Sequence, residues 1–191
     1  MEKISLIFLL FLPLGLLGQK VEFEKRCRYD KLPSAMQESL QQLYGQLPKR
    51  AKFYKEYQKE SYSYEAKFRY QGHCHSVEYN AQGQLEEIEI RKKWKKLKPQ
   101  TKEQIRKLLK QQFKHYRILK LQLQFTGPQT ALAKALQGQT ANANQAYELV
   151  IKGKKENKKW QLWEFLFTTD GQILRQEQLI EVDASSWQLD Y

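Results

Sequence analysis

Little in this chain can do covalent chemistry. It holds two cysteines, Cys27 and Cys74, and three histidines in 191 residues. It has no G-x-S-x-G elbow, no glycine-rich phosphate loop and no H-E-x-x-H, which removes the common serine-hydrolase, nucleotide-binding and zinc-protease solutions. The carboxylates are scattered, and Glu86, Glu87 and Glu89 in "LEEIEI" read as decoration of a strand. Cys74 stands between His73 and His75, but neighbours on a strand point to opposite faces, so a thiol–imidazole pair does not form there. His115 is the one further histidine, too sparse a set for zinc. We expect no catalysis, no metal and no cofactor.

Long apolar runs are equally scarce. One opens the chain, from Ile4 to Leu12, is broken by Pro13 and ends in Leu14-Gly15-Leu16-Leu17-Gly18. It is too short for a stable transmembrane helix and no second one follows, so the mature chain should have no spanning segment. After Met1-Glu2-Lys3 it reads as a secretory signal peptide over 1–18, cut between Gly18 and Gln19. Export bears on the cysteines. An oxidising compartment favours a Cys27–Cys74 disulfide, worth about 4 kcal/mol through the entropy of the unfolded chain.

Acidic side chains are outnumbered, 21 against 33 basic ones, for a net charge of +12. Such a charge steers acidic proteins, anionic glycans or lipid headgroups toward the surface. Export makes nucleic acid an unphysiological partner. With 41% hydrophobic residues and many aromatics, the mature chain is globular.

What is present is a pattern written twice. Met36, Leu40, Leu43, Tyr44 and Leu47 make one face of a helix over 33–47, with Pro33 at its start and Gly45 at its end. After Pro99 a second stripe follows, Ile105, Leu108, Leu109 and Phe113, with Thr101 and Gln104 as a capping box. Strands succeed each helix. "AKFYKEYQ" and "SYSYEAKFRY" lead to "HSVEYNAQGQL", and "YRILKLQLQF" and "AYELVIKG" lead to "WEFLFTTDGQI". Tyr62, Tyr64, Ala66, Phe68 and Tyr70 face one way, while Glu65, Lys67 and Arg69 face the other. Leu119, Leu121, Leu123 and Phe125 form another apolar face. Gly83 and Gly171 sit where hairpins need positive φ. Residues 127–145 and "KGKKENKKW" read as protruding loops, the first mobile or partly helical.

The expected fold is therefore α+β, with two tandem repeats of a helix and a four-stranded antiparallel sheet, the helices on one face of each sheet. The organisation would be a signal peptide (1–18), a lead and first repeat (19–97), and a second repeat and tail (98–191), in one compact domain. "YEAKF", "VEYNAQGQ", "YELVI" and "EFLFTTDGQI", each set preceded by a proline-started helix, resemble the PepSY-like domains of exported bacterial proteins, which are similar to the β-lactamase inhibitory protein. Tyr64-Glu65 and Tyr147-Glu148 match the pair that opens the family's second strand. Asp170-Gly171 matches its turn, and Gln82-Gly83 departs from it at the acidic position. The resemblance covers roughly residues 30–182. It implies helices on an antiparallel sheet, an envelope or extracellular address and no catalysis.

Partner binding then falls to charge. The polar sheet face offers Lys67 and Arg69 from the first unit and Lys152 from the second, with Lys154 at the next hairpin. The run "RKKWKKLK" contributes Lys92, Lys93, Lys95 and Lys96 around Trp94. As a solvated linker it would tuck Trp94 and Leu97 under the next helix; as a contact it would meet an anionic surface. Apolar residues occupy both faces near Trp160–Phe167, where the tail with Trp187 and Leu189 is expected to fold back. The leading expectation is an exported binding module, possible inhibitor-like use included, for an acidic protein; the alternative is a binder of anionic glycans or lipid headgroups.

Overall fold

The alternation read along the chain does build strands, but they join differently. A computed structural model describes residues 17–181 except 47, 49, 58–60, 141, 157 and 158, with backbone alone for 17–23 and 181. The strands are β1 (Leu17–Cys27), β2 (Lys52–Tyr57), β3 (Tyr62–Tyr70), β4 (His73–Tyr79), β5 (Leu85–Arg91), β6 (His115–Thr126), β7 (Asn144–Lys154), β8 (Gln161–Thr168) and β9 (Ile173–Glu181). Each pairs antiparallel with the next, and β1 lies parallel against β9, so the nine close into one ring. Helices α1 (Ser34–Tyr44), α2 (Pro99–Gln112) and α3 (Gln129–Leu136) interrupt the order before β2, before β6 and after β6.

This corrects the expected α+β pair of helix-plus-four-strand repeats. Two separate sheets would leave β5 and β6 as open edges with unpaired backbone groups. Here those edges pair, from Glu87 opposite Thr126 to Arg91 opposite Gln122. The supposed N-terminal lead is itself a strand, β1, paired on both sides. Residues 1–16 of the expected signal peptide lie outside the described residues. Leu17 and Gly18, opposite Gln176 and Glu177, open β1, and the expected cleavage junction before Gln19 falls within that strand.

The apolar face of the ring carries the helices. Met36, Leu40 and Tyr44 of α1 are buried against Phe53, Phe68, Val77 and Tyr79. Ile105 and Leu109 of α2, with Phe113 just beyond it, are buried against Leu149, Ile151, Trp163 and Phe165. Each such side chain contributes roughly 1.5–3 kcal/mol of transfer free energy. Segment 127–145 is partly helical, as one of its expected readings had it, but it packs inward and does not protrude. Pro128 precedes α3, whose Ala131, Leu132 and Ala135 are buried in the first core beside Phe125. The described part of the C-terminal segment ends at Glu181, so the expected cover by Trp187 and Leu189 lies outside it.

Local chemistry adjusts two further expectations. Pro99 opens α2, but Lys98 is its N-cap and no side chain caps it. Thr101 instead donates through Oγ1 to the Thr169 carbonyl at 2.9 Å, tying the helix to the β8–β9 hairpin. In β6 the register slips between Ile118 and Lys120. The extra residue is Leu119, which a bulge leaves 41% exposed while Leu121 and Phe125 stay buried.

The two hairpin glycines answer a second need besides positive φ. At Gly83 (φ +79°) a Cβ would lie 2.7 Å from Pro33 Cβ and 3.0 Å from the Met36 nitrogen. At Gly171 (φ +96°) it would lie 3.0 Å from the Thr101 carbonyl oxygen. Each turn therefore receives the first turn of a helix, which a side chain would push away.

Candidate functional site

The face opposite the helices lines the inside of the ring. Strand alternation places Glu56 (β2), Glu65 (β3), Glu89 (β5), Glu148 (β7) and Glu164 (β8) on it, and all are buried. Among the described residues no helix covers this face. It differs from the open basic platform expected from composition, since its depth is acidic. Glu65 and Glu148 are the glutamates of the two Tyr-Glu pairs, and alternation alone had assigned both to a solvated side.

Few cations reach that depth, and each is held between acids. Lys67 Nζ lies 2.5 Å from Glu65 Oε2 and 2.9 Å from Glu24 Oε1. Lys120 Nζ lies 2.8 Å from Glu148 Oε1. Arg175 Nη2 lies 3.1 Å from Glu164 and its Nε 3.7 Å from Glu177. Burial works against the charge on Lys67 and Lys120, yet Glu65 and Glu148 respectively hold both ammonium groups above their usual range. Removing one partner of such a pair would leave a buried charge unmatched.

Glu89 is the exception to pairing by cations. It is 1% exposed, its Oε2 accepts from the Gln122 amide, and its Oε1 has no donor of its own. Burial, and then the Glu148 charge, push its carboxyl well above the usual range, while Lys120 pulls the other way. Gln122 brings the two carboxyls near one another: its amide donates to Glu89, and it lies opposite Glu148 in the β6–β7 ladder. Ser76 donates to Glu65 in the next layer.

Two carboxylate triads converge to within 4.8 Å, Glu24 with Glu56 and Glu65, and Glu78 with Glu87 and Glu89. Lys67 already sits against the first. In the second, the Gln124 amide donates to Glu87 at 2.7 Å.

One end of the ring is basic. A cavity of about 440 Å³ opens there, and Arg50, Lys52, Lys67, Arg69, Arg91 and Lys120 line it with Glu65 as its single carboxylate. A second cavity of about 520 Å³ adjoins it, sharing Arg69, Cys74 and Arg91 and adding Lys92, Lys93 and Lys96. The two arginines are held by backbone. Arg69 Nη2 donates to the Gly72 carbonyl at 3.2 Å, and Arg91 Nη2 to the Leu119 carbonyl at 3.0 Å. Neither forms an ion pair with a described carboxylate. Their remaining donors suit a planar or tetrahedral oxyanion.

The structure thus gathers Lys67, Arg69, Lys92, Lys93 and Lys96 at one end. Lys95 is exposed outside both cavities, and Lys152 is exposed on β7 opposite Leu162. Lys154 ends β7, where its carbonyl accepts from the Lys114 amide at 2.9 Å. Trp94 is half-buried against the second core with the Arg106 guanidinium 5.6 Å over its ring. Arg50, Lys52 and Lys120 were missed. Lys120 belongs to β6, which the two-sheet reading had assigned to a different sheet from Lys67 and Arg69.

The cysteines do not form the expected Cys27–Cys74 disulfide; both are free. Cys27 packs on the outer core, and Cys74 faces the inner cavity. Cys27 aligns through Phe53 and Ala66 with Val77, three residues along β4 from Cys74. Three strand spacings alone put them about 14 Å apart, against the 7 Å or so a bridge spans. His73 is exposed, whereas His75 is buried beside Phe68, at a ring separation of 6.0 Å, and near Tyr44 and Tyr70. Tyr44 Oη and His75 Nδ1 are hydrogen-bonded at 3.3 Å.

No family model matches the chain, and no curated protein matches it. Solved structures do resemble its fold. A DUF2874 family protein from Bacteroides uniformis ATCC 8492 aligns at 14% identity and a TM-score of 0.51, over 77% of this chain and 89% of that one. A predicted periplasmic protein from Bacteroides eggerthii DSM 20697 aligns at 13% identity and a TM-score of 0.51, over 76% and 88%. A BLIP-like protein from Bacteroides fragilis NCTC 9343 aligns at 14% identity and a TM-score of 0.49, over 82% and 93%. The chain is thus similar in fold to the DUF2874 proteins, and the PepSY and tandem-repeat elements of the sequence resemblance gain no support from these alignments.

Proposed function

We propose that this is an exported, non-catalytic binding module that engages an acidic protein through the basic end of its ring. The observation that carries the reading is the convergence of Arg69 and Arg91, each anchored by a carbonyl and without a described counter-ion, on two adjoining cavities edged by lysines. Guanidinium groups already oriented by a carbonyl, with donors to spare, can grip a carboxylate with two parallel hydrogen bonds, which a lysine ammonium cannot. Export is supported by the apolar opening of the sequence and by the periplasmic description of the B. eggerthii structure.

The test is fluorescence anisotropy with a labelled hexaglutamate peptide at physiological salt, beside a hexaglutamine control. The triple variant Arg69→Gln, Lys92→Gln, Lys93→Gln should weaken binding at least about tenfold, on the order of 0.5–1 kcal/mol per charge. Equal affinity of wild type and variant would overturn the assignment. The lipid or glycan alternative needs Trp94 at a boundary, and that ring packs against the second core. Cosedimentation with anionic vesicles, before and after Lys92, Lys93, Lys95 and Lys96 are changed to Gln, gives it a separate trial.

A further inference from the structure

We propose that the 440 Å³ cavity is an oxyanion pocket gripped by Arg69 and Arg91, and that Lys120 ties its affinity to a proton shared by Glu89 and Glu148. The inference rests on the reading of the basic end as the binding face and adds a ligand chemistry and a control to it.

Position makes Lys120 the link. Its side chain lines the cavity with Arg91 and Lys67, while its ammonium group contacts Glu148 at 2.8 Å. Glu148 in turn lies opposite Gln122 in the β6–β7 ladder, and the Gln122 amide donates to Glu89, whose Oε1 is buried without a donor. With one proton between them the two carboxyls carry a single negative charge, which Lys120 balances. Losing that proton adds a second negative charge beside the Lys120 ammonium, away from the cavity, and holds Lys120 inward. Gaining another proton neutralises the pair and frees Lys120 for a ligand. Anion affinity therefore falls as pH rises through the titration of the pair.

Other charges face the pair and must be separated from it. Glu78 approaches Glu89 from β4, and Glu164 and Arg175 approach the Lys120–Glu148 side from β8 and β9. At the cavities themselves lie the ionisable side chains of Cys74, His73 and His75. Burial keeps His75 largely neutral, its pKa lowered to about 4, whereas His73 is exposed.

The probe is sodium sulfate, whose charge is constant from pH 5.5 to 8.5, titrated calorimetrically at fixed ionic strength into the Cys74→Ser protein. We expect saturable binding about tenfold tighter at pH 5.5 than at pH 8.5, the scale of one unit charge acting across a partly buried site. Arg69→Gln or Arg91→Gln should weaken it about tenfold at both values. Glu89→Gln should retain tight binding at both, and His73→Gln should keep the wild-type ratio. No saturable sulfate binding, or the same pH ratio in Glu89→Gln as in wild type, overturns the proposal. Should Glu89→Gln fail to fold, the His73→Gln protein serves: sulfate binding in two buffers of different ionisation enthalpy should reveal proton uptake, and zero uptake overturns the link. Hexaglutamate binding without sulfate binding defeats the pocket and leaves the proposed function standing; sulfate binding without hexaglutamate binding does the reverse.

Discussion

His75 carries in one side chain a consequence that reaches global stability. Enclosed by Phe68, Tyr44 and Tyr70, it is disfavoured as an imidazolium first by burial and then by the charges of His73 and Lys92, which bring its pKa to about 4. The unfolded chain takes up that proton near 6.5, so folding stability should decline as pH falls from about 6.5 to 4. The loss due to His75 should be about 2 kcal/mol, after a discount for partial solvation. Urea titrations of wild type and His75→Phe at pH 7 and 4 should show the smaller drop in the variant; equal drops would show that the imidazole stays solvated. Glu89 has the opposite sign, because a raised carboxyl costs stability as pH increases through its titration. Glu89→Gln should accordingly raise the melting temperature more at pH 8 than at pH 5, and a shift equal at both would remove the carboxyl as its cause. At this scale the sequence was half legible. Alternation put His75 with the apolar set and Cys74 opposite it, as found. Nothing in a two-residue period tells a solvated glutamate from a buried one, so Glu65, Glu89 and Glu148 read as surface.

Elements were legible where one period ran unbroken and less so where an extra residue or a distant contact intervened. The stripe Met36, Leu40, Tyr44 marked α1, and Pro99 marked the start of α2. The bulge at Leu119 leaves no mark in composition, since Leu is as apolar outside as inside. Leu119→Gln should therefore change stability by no more than about 0.5 kcal/mol, whereas Leu121→Gln should cost at least about 3 kcal/mol by burying an amide in the second core. Comparable losses in chemical denaturation would place Leu119 in the core after all. The inward packing of α3 escaped notice, though a partly helical segment was expected there, because "TALAKAL" lies in an Ala/Gln-rich stretch whose apolar content is small. Its burial comes from contact with Phe125 and β5, contacts invisible locally. Leu132, with no exposure, should cost about 3 kcal/mol as Ala. A change under 0.5 kcal/mol would return the segment to the role of a loop.

At the scale of the whole molecule, what decides the function is whether the sheet closes. A closed ring gives the acidic interior its burial, keeps Glu24 against Lys67 and confines the unmatched arginines to one end. An open sheet of the same strands would expose those glutamates to water and let each cation find its own counter-ion. Closure was the least legible property, because it depends on which edges meet, and edge pairing between residues as distant as Val21 and Ile180 has no sequence signature. Those two positions are paired in the parallel β1–β9 ladder. With Cys27 and Cys74 changed to Ser, the double variant Val21→Cys, Ile180→Cys should oxidise to an intramolecular disulfide in air. Because the link closes a loop over most of the chain, it should stabilise the fold by about 5 kcal/mol, less any strain. Non-reducing mass spectrometry and thermal melts read both effects. Thiols that stay reduced under mild oxidant, or that pair between molecules instead, would mean the β1–β9 seam is open. The buried carboxylates, and with them the proton link to the cavity, would then lose their physical basis.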